Sequence, residues 1–121
     1  MRRIYSALQA GLDDYTMDER GDVGSWIRIA CIKGLADVAE MFLTNASNLP
    51  DLAQYLPPDA YHRSVGGLLK QGVERLDNVR LQAGRHITRL LELTVPDVSG
   101  IERWRIHGEK LMKELFLRFV L

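Results

Sequence analysis

A chain of 121 residues is long enough for one compact core that buries roughly two-thirds of its unfolded surface, so it is one domain or one slice of a longer array. Sixteen basic residues balance sixteen acidic ones, which leaves no long-range positive field to hold a polyanion and argues against nucleic acid. With 46% hydrophobic and 26% charged residues, the composition is that of a folded soluble domain rather than a disordered segment. The single cysteine, Cys31, excludes an internal disulfide and a cysteine-rich zinc site, and it fits a reducing, cytosolic setting. No apolar run reaches the ~18 residues of a membrane span. Gln9, Asp13 and Asp14 interrupt the N-terminal stretch before the core of a signal peptide forms.

Alternating β-branched runs are nearly absent, and the apolar spacing is helical throughout. A first helix is expected from about Arg2 to Leu12, with Ile4, Leu8 and Leu12 on one face. A second begins near Asp22 to Ser25, either of which can cap it, and continues to about Thr44. Trp26, Ile27, Ala30, Cys31, Leu35, Val38, Met41 and Phe42 form its broad apolar stripe. Gly34 inside that stripe costs about 1 kcal/mol of helix propensity and suits a closely approaching neighbour. Residues 45–60 read as a linker, rich in Asn, Ser and Pro, in which Leu49, Leu52, Tyr55 and Leu56 anchor a short helical turn. Pro57-Pro58-Asp59 opens a third helix carrying Tyr61, Val65, Leu68, Leu69, Val73 and Leu76. A fourth is expected from about Asp77 to Leu93, with Val79, Ala83, Ile87, Leu90 and Leu91 inward and Pro96 as its stop.

A fifth helix, from about Ile101, carries Trp104, Ile106, Leu111, Met112, Leu115, Phe116, Phe119 and Val120. That is more than one face requires, so it is either a buried cap or a patch for self-association. The expected organisation is a hairpin at 1–44, the linker, a second hairpin at 61–94 and a terminal helix at 100–121.

The two hairpins share a pattern. Setting Ile27-Arg28 over Val79-Arg80, an offset of 52 residues, places Cys31 on Ala83, Leu35 on Ile87, Val38 on Leu90 and Ala39 on Leu91. Asp22 and Asp77 each stand just before the helix. The pattern resembles the second helix of HEAT and armadillo repeats. That resemblance implies an all-α, HEAT/armadillo-like α-solenoid fragment of about five helices in antiparallel hairpins. It also implies capping aspartates that meet an arginine of an adjacent repeat.

Several constellations carry no chemistry beyond structure. His62, His86 and His107 sit on separate helices without ligand spacing, which argues against zinc. Asp14, Asp18 and Asp22 lack the ligand pattern of a calcium loop. Arg20-Gly21-Asp22 spells an integrin tripeptide by coincidence, with Gly21 and Gly24 serving a tight turn. Cys31 falls at the small buried repeat position, where a thiol paired with His86 would be inert. Gly66-Gly67 lies in a helical pattern and suits close packing rather than phosphate binding. Arg75, Arg80, Arg85 and Arg89 drift around one helix and read as a solvated face or as a surface for acidic tails.

The stretch from Leu12 to Arg28 stands apart. Asp13, Asp14, Asp18 and Glu19 cluster around Tyr15, as either a solvated turn or a contact surface on a rigid scaffold. Asp22 reads as a helix cap, Trp26 as core filling, and Arg28 as a partner for the aspartates of the turn.

Leu12-Asp13-Asp14-Tyr15-Thr16, then Asp18, Arg20-Gly21-Asp22-Val23-Gly24, Trp26 and Arg28, resembles the C-terminal region of the tubulin-folding cofactor D family. Its members are many times longer. The resemblance implies a non-catalytic protein-binding scaffold that needs no cofactor and works in the cytoplasm beside the cytoskeleton. It implies β-tubulin, cofactors C and E and a small Arf-like GTPase as partners, with any stimulation of GTP hydrolysis arising in the complex. Asp13, Asp14, Tyr15, Asp18, Arg20, Arg80 and Arg85 are then the candidate contact residues. Asp22, Trp26, Arg28 and Asp77 form the structural motif. The alternative is a purely structural solenoid unit.

Overall fold

The computed structural model describes residues 1–119, with side chains through Glu114. Helices α1 (Arg2–Gly11) and α2 (Gly24–Thr44) form a first antiparallel hairpin, joined by a turn that contains the two-residue strands β1 (Met17–Asp18) and β2 (Gly21–Asp22). A 3₁₀ turn at Ala46–Asn48 and the short α3 (Leu52–Tyr55) lead to the second hairpin, α4 (Pro58–Gln71) and α5 (Asp77–Leu91). A second 3₁₀ turn at Ile101–Trp104 precedes α6 (Glu109–Phe119). The expected all-α class holds, the minimal β-hairpin being the one departure among the described residues.

The elements start and stop where the side chains dictate. Pro58 opens α4, where no backbone donor is lost. Asp51 caps α3 by accepting the N–H of Ala53. The core lies between the hairpins, with Ile32, Ala36, Leu68 and Ala83 completely buried and α2 seated along α5. Small residues set the spacing: a Cβ on Gly34 would stand 3.3 Å from Leu8, and one on Gly67 only 2.6 Å from Leu12. Tyr5 donates its hydroxyl to the Tyr55 carbonyl at 2.5 Å, and Trp104 donates its indole N–H to the Leu56 carbonyl at 2.9 Å. These two bonds pin the linker to both ends of the molecule.

The 52-residue correspondence holds in the middle of α2 and α5. Cys31 and Ala83, Leu35 and Ile87, and Ala39 and Leu91 are all buried. It fails at the helix starts, where Ile27 is exposed opposite buried Val79, and Arg28 is buried opposite exposed Arg80. The expected ladder between repeats does not form at these aspartates. Asp22 pairs with Arg28 of the helix it precedes, and Asp77 pairs with Arg80 one turn along α5. Ion pairs between the hairpins come instead from other residues: Arg89 reaches Asp37 at 2.8 Å and Glu40 at 2.5 Å on α2, and Arg2 on α1 reaches Asp59 on α4 at 2.9 Å.

Other expectations need correction. α4 ends at Gln71, because the chain turns at Gly72, so Val73 and Leu76 lie beyond it and are exposed. α5 stops at Leu91, two residues early. The helix expected from Ile101 is broken: Gly100 and Gly108 adopt positive φ, and Trp104 and Ile106 are buried by an irregular segment rather than by a helical face. On α6, Leu111 is exposed. The side chains of Leu115, Phe116 and Phe119, and all of Val120, lie outside the described residues. The histidines are not all apart, since the rings of His62 and His107 stack at 6.0 Å and His62 Nε2 meets the Arg103 carbonyl at 2.7 Å.

Candidate functional site

One edge of the molecule gathers most of the residues singled out from sequence. The turn between α1 and α2 folds over the start of α2 and touches the α4–α5 turn. Its local form comes from short polar side chains. Asp14 Oδ1 accepts the Thr16 N–H at 3.0 Å and the Thr16 hydroxyl at 2.6 Å. Asp18 Oδ1 accepts the Arg20 N–H at 2.7 Å, and Gly21 at φ 103° closes the two-residue loop. Asp22 Oδ1 accepts the Ser25 N–H at 3.0 Å, which caps α2.

Arg28 braces this turn from below. It is fully buried, and each part of its guanidinium is matched. Nε donates to Gln71 Oε1 at 3.2 Å, Nη1 to the Asp14 carbonyl at 2.8 Å, and Nη2 to Asp22 Oδ2 at 3.0 Å. The Tyr15 ring lies 4.1 Å from the guanidinium carbon, a cation–π contact in a partly desolvated place. Tyr15 donates its hydroxyl to Glu74 Oε1 at 2.7 Å and accepts from Gln71 Nε2 at 3.1 Å. Arg80 donates to the Glu74 carbonyl at 3.0 Å, so Glu74 links Tyr15 to Arg80.

Tyr15, Arg80, Asp14, Asp22 and Arg28 therefore belong to one assembly. Asp18 and Arg20 pair with each other at the hairpin tip. Asp13 faces Lys70 at 3.6 Å, an exposed pair of small energetic weight. Arg85 lies farther along α5 and is exposed. Asp77 is exposed and does not act as a side-chain cap. Trp26 contradicts the core-filling expectation at 61% exposure, with the Arg20 guanidinium 5.3 Å over its ring. The cause is rotational. Two helical residues span about 200°, so with Arg28 turned inward Trp26 must point out.

Sequence reasoning missed Gln71 and Glu74. Gln71 had a signal, because it continues the inward spacing of Val65 and Leu68 with a polar side chain and is completely buried. Glu74 had none.

The carboxyl groups of Asp14, Asp18 and Asp22 are held below the usual carboxylate range, by Thr16, Arg20 and Arg28 respectively. Burial, then the neighbouring charge of Arg89, holds His86 below its ordinary 6.5. Burial pushes the Cys31 thiol up, and a Cβ on Gly11 would come within 2.3 Å of its sulfur, so this is a packed rather than a reactive cysteine. Depressed pKa values in the folded state all act in one direction. Their stabilisation is complete above the unfolded pKa and is lost as pH falls through the folded one. Urea midpoints will accordingly decline first below about pH 6.5 as His86 protonates, and again below about pH 4 as the turn carboxylates do. His86→Gln should remove the first decline; its persistence would refute that assignment.

A family model described as "Tubulin folding cofactor D C terminal" matches residues 62–119. Tubulin-specific chaperone D of Dictyostelium discoideum is 37% identical over 125 residues, an alignment that covers 92% of this chain and 8% of that protein. The chain thus spans under a tenth of the curated relative's length. No solved structure matches it. The family model covers the second hairpin and α6, while the alignment takes in nearly the whole chain, and together they establish that the sequence belongs to the tubulin-folding cofactor D family as a stretch of its C-terminal region.

Proposed function

We propose that this chain contributes a protein-binding edge to a tubulin chaperone, formed by the α1–α2 turn and the α4–α5 turn, and that β-tubulin is the protein it contacts. The observation that carries the reading is the buried Arg28. It fixes a turn that presents Tyr15 and Met17, the latter 66% exposed, and whose Tyr15 meets Glu74 on the α4–α5 turn, where Val73 is 82% exposed and Leu76 is exposed as well. Aromatic, arginine and apolar side chains on a rigid support suit an anchoring patch, because little entropy is lost when a partner settles on them. Arg80 supplies a cation at its border, and Asp18 with Arg20 a paired charge at its tip.

This edge would serve the capture of β-tubulin during assembly and disassembly of the αβ heterodimer, in the cytoplasm and beside the cytoskeleton. Cofactors C and E or a small Arf-like GTPase are the alternative occupants. Arg85 stands apart from the patch and is not required by it. Asp14 holds the turn itself, so its replacement would confuse binding with folding.

The test is a titration of αβ-tubulin against the chain by size exclusion with light scattering, beside a Val73→Asp/Arg80→Glu variant whose melting temperature is unchanged. A complex with the parent, weakened at least tenfold in the variant (about 1.4 kcal/mol), supports the edge. An undiminished complex would move the contact elsewhere. Absence of a complex with either chain favours the structural-unit reading.

A further inference from the structure

The end of the molecule opposite the two turns holds a cavity of about 440 Å³. Helix ends and the irregular segment after α5 meet there. Leu43 lies at the end of α2, Tyr61 in the first turn of α4, and Leu90 and Leu91 at the end of α5, while Trp104 and Ile106 complete the walls. All six residues are more than nine-tenths buried. The cavity they line is nonetheless open to solvent at its mouth, and its size is in the range that takes a ligand group.

Tyr61 brings a polar group to this apolar space. It is 2% exposed, and its hydroxyl makes no hydrogen bond among the described residues, unlike that of equally buried Tyr5, which is bonded to Tyr55. Burial, then the nearby charge of Glu109, pushes the hydroxyl up to about 12, so it stays a neutral phenol that accepts a hydrogen bond as well as donating one. A hydroxyl stripped of water and left without a partner is costly. Its place in the wall of a cavity points to a bond made by an occupant.

Charge at the mouth selects that occupant. Asp97, Glu102 and Glu109 stand there with Arg105 and Lys113. Glu109 has Arg105 at 3.9 Å and Lys113 one helical turn along α6, so both cations fall to a single carboxylate. Asp97 and Glu102 are exposed and make no ion pair among the described residues. Trp104 donates its indole N–H to the Leu56 carbonyl, which leaves its ring as an aromatic wall. Unpaired carboxylates beside tyrosine and tryptophan walls are the combination that recognises a cation on an apolar stem.

We propose that this cavity receives a lysine or arginine side chain from a segment of a partner protein, with a neighbouring aliphatic residue of that segment against Leu43, Leu90 and Ile106. Asp97 and Glu102 draw the cation to the mouth, and one of its N–H groups donates to the Tyr61 hydroxyl oxygen. The open mouth favours a side chain carried on a longer segment over a free amine, because pockets for small ligands enclose most of the ligand's surface. The proposal does not rest on the β-tubulin edge, which lies at the other end of the hairpins.

The test is a fluorescence titration of the whole chain carrying Trp26→Phe, which leaves Trp104 as its one indole. The probes are the end-blocked peptides Leu-Lys-Leu-Lys and Leu-Glu-Leu-Glu and the free amine 4-phenylbutylamine. Trp104 emission should change saturably with the basic peptide. The acidic peptide should bind at least about fivefold more weakly, the weight of one exposed ion pair. Asp97→Asn/Glu102→Gln should weaken the basic peptide by a similar factor. Tyr61→Phe should weaken it as well without lowering the melting temperature, because the hydroxyl bonds to nothing among the described residues. Val73→Asp/Arg80→Glu should leave this binding unchanged. No saturable change, equal affinity for the two peptides, or binding of the free amine alone would overturn the proposal. So would a melting temperature that falls in Tyr61→Phe, which would assign the hydroxyl to the fold.

Discussion

Replacing Arg28 by methionine will destabilise the chain by about 3 kcal/mol, a large share of the total for a domain of this size. The side chain is fully buried, and methionine can occupy its volume without making any of its bonds. Asp22 then keeps its charge beside an apolar group, and the Asp14 carbonyl and Gln71 Oε1 lose their donor. The cost arises from these stranded partners more than from the loss of attraction, because an unpaired buried acceptor bears its desolvation in full. Urea unfolding of Arg28→Met against Arg28→Met/Asp22→Asn will separate the two contributions. Recovery of part of the loss in the double variant is expected. A single variant within 1 kcal/mol of the parent would show that the turn is not braced as described.

Gly24→Ala is the second large effect, at about 2–3 kcal/mol. A Cβ there would stand 2.3 Å from the Asp14 carbonyl oxygen and 2.7 Å from the Thr16 nitrogen. Both are backbone atoms held by other bonds, since Gly24 itself donates its N–H to the Thr16 carbonyl at 3.0 Å. The turn must lift off α2 to make room. Gly11→Ala offers the comparison. Its new methyl would meet the Cys31 sulfur at the same 2.3 Å, but a side chain can turn aside where backbone cannot. Thermal melts of both variants should therefore show the larger drop for Gly24→Ala, accompanied by loss of the fixed Tyr15 environment in near-ultraviolet dichroism. Equal drops would mean that the turn is as compliant as a cysteine rotamer.

These two residues also show what could be read before any coordinates. The dense motif from Leu12 to Arg28 marked the segment that forms the braced turn, and the pairing of Arg28 with Asp22 followed from its forked donors alone. Helix periodicity located the inward residues of α2 and α5, whose buried pairs Leu35 with Ile87 and Cys31 with Ala83 keep their register. Trp26 was misread because a broad apolar stripe does not say where its centre lies. Once Arg28 takes the inward position, the stripe rotates and Trp26 falls outside. The α4 terminus was misread for a related reason, since Val73 and Leu76 continue a helical spacing that the chain abandons at Gly72. The contacts of Glu74 and Gln71 with the turn lay beyond periodicity altogether. They join residues 56 to 59 positions apart, and the arrangement of two hairpins alone brings them together.

That separation bears on the order in which the molecule can fold. Bonds from Leu12 and Tyr15 to Gln71 and Glu74 close a long loop, and the entropy of closure must be met before they contribute. The first hairpin can collapse by local contact between α1 and α2 and can set Arg28 against Asp14 and Asp22, yet the bonds of its turn to Gln71 and Glu74 wait until α4 arrives. Residues 13–23, although they sit at the surface, should then be among the last to order and should open only when the two hairpins part. In hydrogen exchange their protected amides, together with that of Gly24 bonded to Thr16, should report the rupture of the whole unit rather than a local fraying.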